Sequence, residues 1–255
     1  FAYSYRTNRP ELFYMEPYIT YRDYYTAEIG NPVIRPEYIH SFELNYKKNF
    51  GEQLLQSSLF YRSRKDKIER LRVPYQAGVT LDSMANVGND HALGIELNGQ
   101  LTINKWWNLN VNGNIYYYKV VNDIQSGGKK ETSTNYDITL NNMFRVFKNT
   151  RIQLDGNFVG PSVTTQGRSD AFWFVNLAIR QQLFSPNLQS TLSFRDIFNS
   201  ARYRSDITTA DLQSITRIRP DYPVITLSIS YTFNNFKRGS QNSRDNRDLF
   251  EGTNH

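Results

Sequence analysis

Every second connection between the strand-like segments of this chain is short, and that alternation restricts the fold more than any single motif. From Ile39 to Phe236 the segments alternate apolar and polar residues with the period of two that belongs to β-strands. The short connections are Asn49 to Glu52, Ile103 to Lys105, Lys148 to Thr150 and Ser185 to Asn187, each supplied with Gly, Asn, Pro or Lys for a turn. The long ones run from Asn8 to Pro36, from about Glu69 to Asp90, from Asn122 to Thr134, from Gly160 to Asp170 and from Ser200 to Asp221. Counting the segments predicts ten strands. A soluble meander has no reason to lengthen alternate loops, whereas outer-membrane barrels join their strands by short periplasmic turns and long extracellular loops. On that assignment the last strand descends and the chain ends on the periplasmic side.

The closing segment, Pro223 to Phe233, shows the lateral pattern most clearly. Ile225, Leu227, Ile229, Tyr231 and Phe233 fall on one face, and Thr226, Ser228, Ser230 and Thr232 on the other. The more apolar parity of the other strands includes Phe42, Leu44 and Tyr46; Leu93, Ile95 and Leu97; Ile138 and Leu140; and Trp173, Val175 and Leu177, with no charge on any track. The opposite parity holds Glu43, Lys47, Arg62, Glu96, Arg145, Arg151, Asp155, Arg180 and Arg195, and an Asn ladder at Asn108, Asn110, Asn112 and Asn114. An Arg or Lys facing mid-bilayer costs about 2–4 kcal/mol, so lipid selects a charge-free face. The core of a soluble sandwich would exclude charge too. Gly99, Gly113 and Gly156 on the apolar tracks favour lipid, because a packed core tolerates such gaps badly. Aromatic residues also gather at both strand ends. Tyr46, Trp106, Trp107 and Phe147 lie near the short turns, and Tyr61, Tyr117, Tyr118, Tyr136 and Phe158 near the long loops, as two interfacial girdles would require.

Composition closes off other classes. No run of 18 apolar residues exists, so membrane-spanning helices are not expected, while a mean hydropathy of -0.61 is compatible with strands that turn only one side to lipid. The net charge of +6 is scattered rather than gathered on one face, which argues against a nucleic-acid partner. There is no cysteine, and His40, His91 and His255 are the only histidines. His40 and His91 share the parity of the apolar tracks, so both are expected to face outward near the upper interface. Asp82, Asp90 and His91 offer no spacing readable as a catalytic site, and no nucleophile elbow, phosphate loop or metal-ligand cluster appears. The expectation is a protein that is not an enzyme, with no cofactor and no metal. Recognition is the remaining chemistry. The first long loop carries Tyr14, Tyr18, Tyr21, Tyr24 and Tyr25 with Arg22 and Arg35, residue types that hold ligands by stacking, hydrogen bonds and cation–π contact. These seven are the candidate substrate-binding residues. Lys237 to His255 is charged and aperiodic and reads as a polar, disordered periplasmic tail after a barrel portion spanning residues 1–236.

Several stretches resemble the C-terminal part of TonB-dependent outer-membrane receptors, in the branch that carries a carboxypeptidase-regulatory-like N-terminal domain. They include SYRTNRP from Ser4, GNPVIRPEY from Gly30, NVGNDHALGIELNGQL from Asn86, SFRDIFNSARY from Ser193 and VITLSISYTFNNFK from Val224, in the family's order. The resemblance implies an all-β transmembrane antiparallel barrel of 22 strands filled by an N-terminal plug, taking up a scarce nutrient with energy relayed by TonB. The ten strands here would be its last ten. Implied partners are the outer-membrane bilayer, the protein's own plug and remaining strands, the TonB complex and a surface lipoprotein. The implied location is the cell outer membrane. Tyr231, Phe233 and Phe236 resemble the C-terminal signal read by the outer-membrane insertion machinery. No plug or TonB box lies within these 255 residues, so the sequence is expected to be a fragment of such a receptor. A plugless structural or complex-forming barrel without active transport is the alternative, and a soluble all-β binding module is the third reading.

Overall fold

The computed structural model describes residues 1–123, 129–185, 187–221 and 223–233. Its strands in chain order are β1 (Ala2–Asn8), β2 (Thr20–Asp23), β3 (Thr26–Ile29), β4 (Glu37–Phe50), β5 (Gln53–Gln76), β6 (Val79–Asn104), β7 (Trp107–Asn122), β8 (Lys129–Phe147) and β9 (Thr150–Val159). They continue with β10 (Ser162–Val163), β11 (Gly167–Ser169), β12 (Phe172–Gln182), β13 (Leu188–Arg195), β14 (Tyr203–Thr208), β15 (Gln213–Ile218) and β16 (Val224–Tyr231). The main sheet follows the order β1-β4-β5-β6-β7-β8-β9-β12-β13-β16, and each neighbouring pair along it is antiparallel. These are the ten strands that the sequence predicts. The short turns also fall where turn chemistry places them, with Gly51 at a positive φ of 63° in the first.

The long connections differ from their expectation. The segment from Glu69 to Asp90 is not a loop, because β5 and β6 stay paired up to Gln76 and Val79 and turn at Gly78 with φ 76°. Register shifts between Arg64 and Ile68, with Asp66 at φ 55°, move the alternation out of phase, so a continuing strand looks irregular in sequence. Likewise β7 and β8 remain paired from Asn122 and Lys129 down. The loops after β9 and β13 contain β10, β11, β14 and β15, which form a separate four-stranded sheet. The first long loop holds a 3-10 turn at Leu12–Met15 and the hairpin β2–β3, whose second strand pairs in parallel with β6 at Thr80 to Ser83.

The wall has two chemically distinct sides. Phe60, Ser58, Ser41, Asp90, Val120 and Asn135 are all buried, and all lie on the polar parity, which is therefore the crowded concave side. On the opposite parity Leu93, Ile95, Ile115, Ile138 and Leu227 are exposed, with Ile225 at 62% and Ile229 at 66%. A Cβ added to Gly156 on this convex side would meet nothing within 4 Å. Nothing among the described residues packs on the apolar face, which suits it to lipid. Aromatic pairs mark its two edges. Trp106, Trp107 and Phe144 stack with centroids 5.8–6.1 Å apart at one edge, and Tyr136 lies 5.7 Å from Phe158 at the other. Tyr231 packs edge-on against Phe233 at 4.6 Å, while Phe236 and the tail from Lys237 lie outside the described residues.

Candidate functional site

Cross-strand register brings polar-parity residues of β4–β8 into rows on the concave side. One row runs Glu43, Phe60, Gly94, Tyr116 and Asn135, and the next runs Ser41, Arg62, Ala92, Tyr118 and Ser133. Gly94 is required at its position, because a Cβ there would run into the backbone and Cβ of Tyr116. That close approach lets the Tyr116 ring sit 6.1 Å from Phe60, while the Arg62 guanidinium covers Phe60 at 4.3 Å. Arg62 also bridges Glu96 at 2.9 Å and Glu43 at 3.7 Å. Phe60, Arg62, Glu96 and Tyr116 line a cavity of about 240 Å³ with Arg64, Asp90 and Asn114, and the buried Oδ1 of Asn114 has no hydrogen-bond partner there.

Charge pairs continue from this cavity toward the end of the wall that carries the long connections. Asp90 accepts a hydrogen bond from the Tyr118 hydroxyl at 2.9 Å and sits 3.5 Å from Arg64, which also reaches Glu37 at 3.3 Å. Lys67 meets Glu69 at 2.9 Å and donates to Tyr118 at 2.7 Å. Higher up, the nearly inaccessible Asp82 accepts a bidentate pair from Arg72 at 2.6 and 2.8 Å, with Arg70 at 3.8 Å and Arg22 at 3.9 Å. The hydrogen bond to Asp82 raises the Arg72 pKa further above its ordinary value, so Arg72 is a permanent cation.

The tip between β10 and β11 crosses the concave side to close part of this mouth. Gln166 behaves like a short piece of strand: its Oε1 accepts the Arg72 N–H at 2.8 Å and its Nε2 donates to the Arg72 carbonyl at 3.0 Å. The Thr165 N–H donates to Glu69 at 3.0 Å. Beneath the four-stranded sheet a second cavity of about 460 Å³ is lined by Arg168, Arg204, Asp206 and Gln166 among others. At the top of β13 the buried Asp196 carboxylate accepts from Ser200 N–H and Oγ and from Ala201 N–H at 2.9–3.1 Å. Burial alone would raise its pKa, but these hydrogen bonds together hold it below the ordinary carboxylate range.

The family model for outer membrane protein beta-barrels matches residues 1–231. The chain belongs to that family. As an outer-membrane β-barrel protein it lies in the cell outer membrane, with its convex face against lipid. Two solved structures share its fold. The siderophore receptor PirA of Pseudomonas aeruginosa is 14% identical, with a TM-score of 0.56 over 77% of this chain and 35% of that one. A variant of the ferric enterobactin receptor PfeA of Pseudomonas aeruginosa, in complex with enterobactin, is 15% identical, with a TM-score of 0.52 over 78% and 32%. At these identities the likeness is one of fold. The chain spans about a third of the length of these receptors. No curated protein matches it.

Within this outer-membrane wall the sequence-predicted loop residues divide into two groups. Tyr14 and Tyr18 line a small cavity with Phe13, Glu28, Arg70 and Asp82, while Tyr21, Tyr24 and Tyr25 are exposed on the β2–β3 hairpin, Tyr24 at 92%. Arg22 is engaged by Glu28 and Asp82, and Arg35 by Asp66 at 2.6 Å, so both arginines tie the first loop to β5 and β6. Phe60, Tyr116 and Tyr118 share the concave side without a site role expected from the sequence; Tyr118, expected in the outward girdle beside Tyr117, instead lies on the polar parity and donates to Asp90. The readable signal was an aromatic residue on the charged parity, where lipid cannot be its partner. Asp90 and His91 project to opposite sides of the wall, Asp90 to the cavity and His91 outward to Tyr61.

Proposed function

We propose that this chain forms the wall of a TonB-dependent receptor that takes up a scarce nutrient recognised at its extracellular mouth, and that it carries no enzymatic activity. A single observation carries the reading. Extracellular elements from distant parts of the chain, the β2–β3 hairpin and the Thr165–Gln166 tip, are fastened onto β5 and β6, which builds a mouth lined by Tyr and charged side chains. A passive wall has no need of such elaboration, whereas a receptor uses loop tips for specificity. One solved relative is described as a siderophore receptor and the other as a ferric enterobactin receptor, and ferric chelates are cargo that Tyr24, Tyr25 and the concave residues Phe60, Arg62 and Tyr116 are equipped to hold. A plug, the remaining strands and the TonB complex complete the assembly in this proposal. β1 and β16 each have one partner strand among the described residues, and the remaining strands would pair with their outer edges.

The test is nutrient uptake by cells expressing the complete protein. Tyr24→Ala with Tyr25→Ala should lower uptake at least tenfold while the barrel still shows heat-modifiable mobility. Unchanged uptake in that variant would remove the loop from recognition. Loss of the whole protein without any nutrient defect would favour a structural or complex-forming barrel.

A further inference from the structure

On the wall up to and including the start of the bulge, the lipid-facing parity is free of carboxylates but not of cations. Among the described residues it carries Lys48, Lys65, Lys119 and Lys130, and no Asp or Glu. Lys48 sits at the periplasmic edge, over the Phe50 ring at 4.6 Å. The other three gather at the extracellular edge of β5, β7 and β8. Beyond an outward row that registers Tyr3, Phe42, Tyr61, Leu93 and Tyr117 across five strands, Lys119 stands one outward position further and Lys65 and Lys130 two.

The next outward row is Tyr5, His40, Ser63, His91 and Lys119, so His91 and Lys119 are direct cross-strand neighbours. Lys130 pairs with Val121 and Lys119 with Thr132, which makes the two lysines diagonal neighbours on one face. At 3.3 Å per residue Lys119 stands about 7 Å along the strand beyond Tyr117, and Lys65 about 13 Å beyond Tyr61. Both histidines are held outward by tyrosine hydroxyls, His40 by Tyr3 and His91 by Tyr61, each at 3.0 Å. Asp66, next to Lys65, is occupied by Arg35. No ion pair joins any of the three lysines to a carboxylate among the described residues.

Ammonium groups with no carboxylate partner in the protein are free to take one from outside, and on this face the neighbour is the bilayer. Rings beneath them sit at the boundary of the hydrocarbon, so the lysines reach the depth of the head groups. We infer that Lys65, Lys119 and Lys130, flanked by His40 and His91, form a binding site for a phosphate-bearing lipid of the outer leaflet. Its acyl chains would lie along Tyr61, Leu93 and Tyr117, and its phosphates would take the lysines. The site rests on the wall alone and is independent of what passes through the lumen.

Native mass spectrometry of the full chain in detergent tests this, with diphosphorylated lipid A, its dephosphorylated form and phosphatidylcholine as probes. Wild type should retain the phosphorylated form at least tenfold better than either other lipid. Each lysine near a charged membrane surface contributes about fivefold, so Lys65→Gln, Lys119→Gln or Lys130→Gln singly should weaken retention about fivefold, and the triple variant about a hundredfold. Arginine at all three positions should preserve it, as should Lys48→Gln at the opposite edge. Equal retention of phosphorylated and dephosphorylated lipid by wild type would overturn the site. So would undiminished retention by the glutamine variants.

Discussion

Two glycines and one aspartate show how a single residue's surroundings decide its tolerance. Gly94 and Gly156 are both glycines inside strands, on opposite parities of the wall. In the structure a side chain at Gly94 collides with Tyr116, while one at Gly156 enters open space on the lipid face. Gly94→Ala is therefore expected to cost about 1–3 kcal/mol in urea unfolding from micelles, and Gly156→Ala no more than about 0.5 kcal/mol. Asp196 is the third case. Its carboxylate accepts three hydrogen bonds that cap the turn after β13. Asp196→Ala should destabilise that end by about 2–4 kcal/mol, and Asp196→Asn by less, because an amide oxygen can keep part of the set. Its pKa is lowered by folding, so the stabilisation is complete above the ordinary carboxylate pKa and is lost as pH falls through the lower folded value. An acid titration followed by amide exchange at Ser200 and Ala201 reads this directly, and the Ala variant should lack the transition. The sequence marks Asp196 only as part of SFRDIFNSARY. Nothing in that string shows which carboxylates are buried.

At the scale of elements, what was legible depended on whether the deciding interaction was local. Strand alternation is a period of two along the chain, so the ten wall strands and their short turns could be read directly. The upper halves of β5 and β6 could not, because the bulge around Asp66 shifts the phase in which the reading was made. Docking of Gln166 onto Arg72 spans 94 residues and leaves no trace in any window of sequence. That clamp gives a further expectation. Gln166→Ala removes both hydrogen bonds to the Arg72 backbone, worth about 1–3 kcal/mol together, and exposes the Arg72 N–H. Amide exchange should speed up about tenfold or more at Arg72 and along residues 162–169, while Trp173 to Ile179, paired with β9, should not change.

For the whole molecule, the central point is which solvent each face meets. The candidate site was half legible on the same basis: charged positions Glu43, Arg62 and Glu96 mark the concave side in the sequence, and the aromatic residues that share it emerge only from register. The first-loop tyrosines were visible as a cluster, but the division between exposed Tyr24 and Tyr25 and the ion-paired Arg22 and Arg35 depends on partners far along the chain. If the convex face lies in lipid, charge placed there must be costly and charge on the other face cheap. Leu97→Arg, near the middle of the lower part of β6 that runs from His91 to Asn104, should cost about 2–4 kcal/mol, whereas Asn98→Arg beside it should be nearly neutral.

The chain contains no cysteine, so single Cys substitutions give an unambiguous scan of β6 from Leu93 to Gln100, leaving out the two glycines. Spin labels at Leu93, Ile95 and Leu97 in reconstituted vesicles should collide with dissolved oxygen and be shielded from a water-soluble nickel chelate. Labels at Glu96, Asn98 and Gln100 should show the weaker oxygen contact of a lumen-facing site. Alternation with that phase is the expected result. Equal accessibility at all six positions, or alternation with the opposite phase, would contradict a membrane wall built in this sense.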